Sequence, residues 1–282
     1  MEQSRVKELE TIAYKARILG LDAINKAASG HVGGAFSVMD ILTVLYFNTL
    51  KNISAKDPKN PARDRFVLSK GHCTAALYPI LALKGFFPVE DLTTFRQIDS
   101  YLSGHVEMNH VPGVDMSAGS LGQGLSNAVG MALAGKIDQA NYRVYAIMGD
   151  GEIQEGQIWE AAMCAGKYKL DNLVGVVDYN RLQIDGTVSE VMPLEPLSAR
   201  WESFGWHVIE IDGHNYERIA EAFQAAENYK GKPTMIIANT VKGKGVSFME
   251  NNVDWHGHPP MGDDYVNARA ELVAHLNELE GK

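Results

Sequence analysis

Apolar residues near the start of the chain recur every three or four positions: Leu9, Ala13, Ala16, Leu19, Ala23 and Ile24. That spacing gathers them on one face of a long helix, which the glycines of Ser29-Gly30-His31-Val32-Gly33-Gly34 are expected to end. A second helix is predicted from Ser37, as its N-cap, through Val38, Ile41, Leu42 and Leu45. The pattern changes at Val144–Met148 and Leu173–Val177. Both are short apolar runs that stop abruptly, the first at Asp150 between two glycines, the second at Asp178 and Asn180. Between them Ile158, Ala161, Ala162 and Ala165 keep helical spacing, so the unit reads strand, helix, strand, with the two strands parallel in one sheet. A hairpin at Gly149-Asp150-Gly151 is the competing reading, but it needs alternating strands on both sides and only one side offers a strand.

Further strands are predicted at 65–69, 206–211 and 234–240, and further helices at 75–84, 125–137, 197–204, 216–229 and 263–280. The stretch 86–107 shows no clear period. Strands alternating with helices define an α/β protein with a mostly parallel central sheet and helices on both faces. Residues 1–262 read as one domain and 263–282 as a C-terminal helical arm. The arm's stripe of Val266, Ala270, Val273 and Leu276 fits either a partner or its own domain.

Composition narrows the function. The 26 basic and 35 acidic residues give a net charge of −9, the wrong sign for a nucleic-acid binder. Two cysteines cannot form a disulfide framework, which favours a reduced, cytoplasmic setting. The first residues are mixed in charge and lack the apolar core of a signal peptide. No apolar run approaches the roughly 20 residues a membrane span needs.

Parallel strands present their carboxyl ends along one sheet edge, where open α/β proteins bind ligands. Asp150 and Asn180 would therefore meet at a crevice as two hard oxygen donors, joined by the Leu182 carbonyl. Oxygen donors without thiolates suit Mg²⁺, Ca²⁺ or Mn²⁺, and Mg²⁺ commonly completes its shell with phosphate oxygens. The loop Ser117–Gly124 opens directly into a helix, an arrangement that either cradles an anion or serves only a tight turn. His31, His72, His105, His214 and His258 each follow a glycine and His256 precedes one, which places them at element ends where imidazoles can hold phosphate oxygens or exchange protons. Lys242 and Lys244 read equally as solvated charges or as contacts to an anionic cofactor.

Gly149-Asp150-Gly151 with Asn180 beyond, Ser29-Gly30-His31, Lys70-Gly71-His72, Gly104-His105, the segment Gly119–Gly130 and His256-Gly257 resemble, in order, the N-terminal diphosphate-binding domain of transketolase. The resemblance implies a thiamine diphosphate-binding fold, with Asp150, Asn180 and the Leu182 carbonyl on Mg²⁺. It implies cofactor contacts from His72, Gly119, Ser120, Leu121, Gly151, Glu152, Asn180, Lys242 and His256, with Ile184 packed on the rings. His31, His105 and His256 would face the sugar, His72 and His256 would ease proton movement, and Glu155 would join a proton network between paired sites. Val32, Ala35 and Ser120 stand where the family has prolines, which bears on the substrate more than on the cofactor.

Transketolases continue into a domain that holds the aminopyrimidine ring and then a third. The resemblance thus implies one half of a split enzyme, active only with a C-terminal partner subunit, in an α2β2 assembly acting on sugars or sugar phosphates. Rival readings are a subunit of another thiamine diphosphate enzyme, of deoxyxylulose-phosphate synthase or 2-oxo acid dehydrogenase type, and a non-catalytic diphosphate-binding module.

Overall fold

The computed structural model describes residues 1–282. Seven strands occur: β1 (Arg65–Leu68), β2 (Val144–Gly149), β3 (Leu173–Tyr179), β4 (Leu182–Gln183), β5 (Gly186–Thr187), β6 (His207–Asp212) and β7 (Thr234–Asn239). β4 and β5 pair as a small antiparallel hairpin, while the other five form one sheet in the order β1-β2-β3-β7-β6. Every pairing in that sheet is parallel. Gly149 stands opposite Asp178 and Tyr179 opposite Asn239, so the ends of β2, β3 and β7 reach one edge in register.

The helices are α1 (Gln3–Ala27), α2 (Val32–Val44), α3 (Thr74–Leu83), α4 (Gln123–Ile137), α5 (Gly156–Lys167), α6 (Val188–Val191), α7 (Leu197–Ser203), α8 (Tyr216–Asn228) and α9 (Asp263–Glu280). Successive residues of a strand face opposite ways, so the sheet supplies two cores. Tyr145 and Ile147 join one with α1, α2, α3 and α8. Val144, Ala146 and Met148 join the other with α4, α5 and α7. Burial on both faces explains why β2 and β3 read as continuous apolar runs.

Three expectations need correction. α1 ends on Ala28, itself left-handed at φ 48°, not on a glycine. α2 begins at Val32, and Ser37 lies a turn inside it rather than capping it. All thirteen residues of α2 are buried, so no amphipathic stripe marks its start. With the π-helical turn Leu45–Thr49, the stretch Val32–Thr49 does reach bilayer-spanning length and hydropathy, but 83% of it is buried inside the protein, which makes it a core helix.

Residues 263–280 form the expected helix, packed along α1. Ala268 and Leu272 are buried and Val273 and Leu276 pack on the same core, while Val266 (60% exposed) and Ala270 of the stripe stand clear. Tyr265 and Arg269 both reach Asp22 (2.9 and 3.0 Å), and His275 stacks on Tyr14 with ring centroids 4.0 Å apart. Both cysteines are free thiols.

Candidate active site

A cavity of about 530 Å³ opens at the shared sheet edge. Its floor is the end of β2. Asp150, 2% exposed, accepts from the backbone N–H groups of Gly151 (2.8 Å) and Arg181 (2.5 Å). Burial, then the negative charge of Asp178, pushes its carboxyl up to about 6. Asn180 Oδ1 accepts from Leu182 N–H at 3.1 Å, and Leu182 turns its carbonyl toward Lys242 Nζ, 3.2 Å away. Asp150, Asn180 and Leu182 all line this cavity. No three His, Cys, Asp or Glu side chains gather as a metal cluster anywhere in the chain. A cation here would use one carboxylate, one amide oxygen and one carbonyl, and draw other ligands from a phosphate or water. That donor set fits a hard divalent cation.

Lys242 is 1% exposed and its ammonium also lies 2.8 Å from His256 Nδ1. Burial and the nearby Lys70 pull it down to about 8. The two loop lysines thus separate: Lys242 faces the cavity, whereas Lys244 pairs with Glu250 at the surface.

Four imidazoles cluster on the cavity wall. His31 lies 5.0 Å from His72 and 5.9 Å from His256 between ring centroids, and 6.4 Å from His105. His72 and His256 stack at 5.8 Å. Burial, followed by Arg96, lowers His31 to about 4, and burial, followed by Lys242, lowers His256 to about 3. His72 is driven well down by burial and by Lys70, and His105 is lowered by burial and Arg96. All four are therefore neutral near pH 7. His31 Nδ1 is buried with no partner, a polar atom left for a ligand. His214 and His258 do not line the cavity.

The turn that carries His72 needs its glycine. A Cβ on Gly71 would sit 2.2 Å from the Ala118 carbonyl oxygen, so this close approach ties the Lys70–His72 turn to the loop entering α4. Gly119 and Leu121 of that loop line the cavity, but Ser120 does not. Ile184 and Leu121 present exposed apolar surface at the mouth, 68% and 37% exposed. Glu155 stands exposed at the start of α5, also on the cavity rim.

Glu152 also lines the cavity, with its carboxylate taken by donors of the protein itself. Its Oε1 accepts from Ser69 Oγ and from Gly122 N–H (3.0 Å), and Oε2 accepts from Gly149 N–H (3.1 Å). A carboxylate spent on backbone donors cannot also bind an anion. It clips the α4 entry loop to the end of β2.

One residue set escaped the sequence reading. Asp178, fully buried, accepts from the Lys70 ammonium, from Ser37 Oγ (2.6 Å) and from Thr240 Oγ1. Burial alone would raise its carboxyl, but the Lys70 charge together with the hydrogen bonds from Lys70, Ser37 and Thr240 holds it below the usual range. Burial likewise opposes the charge on Lys70, yet Asp178 keeps it protonated. The only sequence signal was Lys70 beside Gly71-His72 and a carboxylate inside an apolar strand.

Hard oxygens at two strand ends, a buried ammonium and a wall of neutral imidazoles define a binding site for a diphosphate-bearing cofactor. The family description "Transketolase, thiamine diphosphate binding domain" matches residues 9–277, and the chain belongs to that family. It is 49% identical over 265 residues to the 6-deoxy-6-sulfo-D-fructose transketolase subunit SqwG of Clostridium sp. (strain MSTE9), covering 94% of this chain and 96% of that protein. It is 45% identical over 276 residues to an apulose-4-phosphate transketolase subunit of Phocaeicola vulgatus, covering 98% of each. Rat transketolase is 44% identical but is matched over only 41% of its length. The crystal structure of Campylobacter jejuni transketolase superposes with a TM-score of 0.86 at 37% identity, covering 97% of this chain and 42% of that one. The chain thus corresponds to the diphosphate-binding subunit of a split transketolase and spans about two fifths of the undivided ones.

Proposed function

We propose that the chain binds thiamine diphosphate with Mg²⁺ and, joined to a partner subunit that supplies the aminopyrimidine-binding domain, transfers a two-carbon ketol unit from a ketose to an aldose. The observation that carries this reading is the convergence of Asp150, Asn180 and the Leu182 carbonyl with four neutral histidines in one cavity. When bound, thiamine diphosphate supplies a carbon nucleophile and electron sink for breaking the bond beside a ketose carbonyl. The chain's own residues do the rest. Asp150, Asn180 and Leu182 hold the cation, Lys242 and the Gly119–Leu121 backbone neutralise the diphosphate, and Ile184 covers the rings. His31 and His105 hydrogen-bond sugar hydroxyls, while His72 and His256, neutral at pH 7, take up and return protons. Glu155 faces outward from the rim, where a neighbouring subunit would meet it.

Two relatives act, by their names, on a sulfonated and on a phosphorylated ketose. We extend that feature to this chain: its sugar carries an anionic group at the end remote from the carbonyl. The assembly is a hetero-oligomer, α2β2, in the cytoplasm. Ketol transfer should be absent from the purified chain and appear on adding the partner, with anionic ketoses as donors and pyruvate inert. Full activity from the chain alone refutes the split, and pyruvate turnover would move the chain to another thiamine diphosphate enzyme. Unchanged activity of the complex after replacing His31 and His105 together would favour a non-catalytic module.

A further inference from the structure

The turn between β6 and α8 lies behind the cavity wall and carries a histidine that the proposed chemistry does not use. His214 Nε2 lies 2.8 Å from Val241 N–H, and its Nδ1 lies 2.7 Å from Asp40 Oδ2. A backbone N–H can only donate, so Nε2 must be bare, and the proton of the neutral ring must sit on Nδ1 and go to Asp40. The tautomer is therefore fixed by the fold.

Asp40, in α2, is saturated. It takes both Nη1 and Nη2 of Arg17 at 2.8 Å and the Tyr216 hydroxyl at 2.6 Å, with Arg17 1% and Asp40 3% exposed.

Val241 precedes Lys242, on the segment leaving β7. The backbone of that segment is held by Thr240 N–H on the Tyr179 carbonyl (3.2 Å), Val241 N–H on His214, the Lys242 carbonyl accepting from Asn251 N–H (2.9 Å), and Gly243 N–H on the Gly33 carbonyl (3.0 Å). Of these four holds, only that on Val241 comes from a side chain. We propose that His214 is a positioning residue for Lys242: held by Asp40, it fixes the backbone at Val241 and so sets the place of the ammonium over the diphosphate site. What Lys242 touches rests on the function proposed above, while the hold of His214 on Val241 stands without it.

The test uses the full chain with His214→Phe, which keeps a ring but offers neither nitrogen, and His214→Gln, which keeps an acceptor for Val241 and a donor for Asp40. Amide exchange at Val241 and Mg²⁺-dependent binding of inorganic pyrophosphate are the readouts. The phenylalanine variant should lose protection at Val241 and bind pyrophosphate about tenfold more weakly, the size of one buried hydrogen bond left unmade. The glutamine variant should recover most of both. Should neither variant fold, nitrogen NMR of the wild-type ring decides: Nε2 bare supports the proposal and Nε2 protonated overturns it. Equal melting losses in both variants with unchanged pyrophosphate affinity would reduce His214 to a structural residue and also overturn it. If the wild-type chain binds no pyrophosphate, the cavity has been misread, and Val241 exchange still decides whether His214 holds the loop.

Discussion

Asp150 and Asp178 close adjacent parallel strands at the same sheet edge, both nearly inaccessible, and the protein treats them in opposite ways. Asp178 has its counter-ion built in, the ammonium of Lys70, and two hydroxyls besides. Asp150 has two backbone N–H groups and no cation of its own, and sits within the field of Asp178. A buried charge is tolerated when it is paired; left unpaired, it moves its pKa or takes a partner from outside. Of two carboxylates alike in sequence setting, one has its counter-ion inside the fold and the other is left without one.

The comparison breaks most visibly if Asp178→Ala proves harmless. Removing one partner of a buried pair strands Lys70 and should cost about 3–5 kcal/mol, read as a lower denaturation midpoint. Acidity should separate the two next. Asp150 ionises less readily in the cofactor-free folded chain than in the unfolded one, its carboxyl moving from 3.8 to about 6. Stability should therefore fall as pH rises through that window, by about 3 kcal/mol from this group. Asp178 acts in the opposite sense, since its depressed carboxyl contributes stability above the unfolded value that is lost on acidification. Denaturation curves of wild type and Asp150→Asn between pH 4 and 7 isolate the Asp150 share, and curves that run parallel would sink the assignment.

The same Asp150→Asn variant should lose roughly 10–100-fold in Mg²⁺-dependent thiamine diphosphate affinity by calorimetry, at least what a supporting partner of a metal ligand is worth. Its cofactor-free stability near pH 7 should hold or rise. Ser37→Ala should matter least, at about 1 kcal/mol of stability for one hydrogen bond, because Lys70 and Thr240 remain on Asp178.

The floor of the site was legible because a parallel strand announces its end. Val144–Met148 and Leu173–Val177 are apolar on both faces, so the polar residues after each mark the edge: Asp150 after the first, Asp178 and then Asn180 after the second. The histidines were legible one by one from their glycines; their meeting in one wall was carried by the family resemblance. What stayed hidden depends on contacts that no local period records. Ser37 looked like a cap because α2 is buried all round, and its true partner is 141 residues away. The Lys70–Asp178 pair spans 108 residues. Glu152 resembles a ligand because it follows Gly151, yet the backbone amides around it claim both its oxygens.

The packing of α9 along α1 has a consequence for how the protein comes into being. The Arg269–Asp22 contact spans 247 residues, so the flank of α1 that α9 covers has no lid while most of the polypeptide is being made. At about 5–20 residues per second on the ribosome, that is roughly 10–50 seconds of bare apolar surface. Until α9 is made, that flank of α1 stays open to water or to whatever else will cover it.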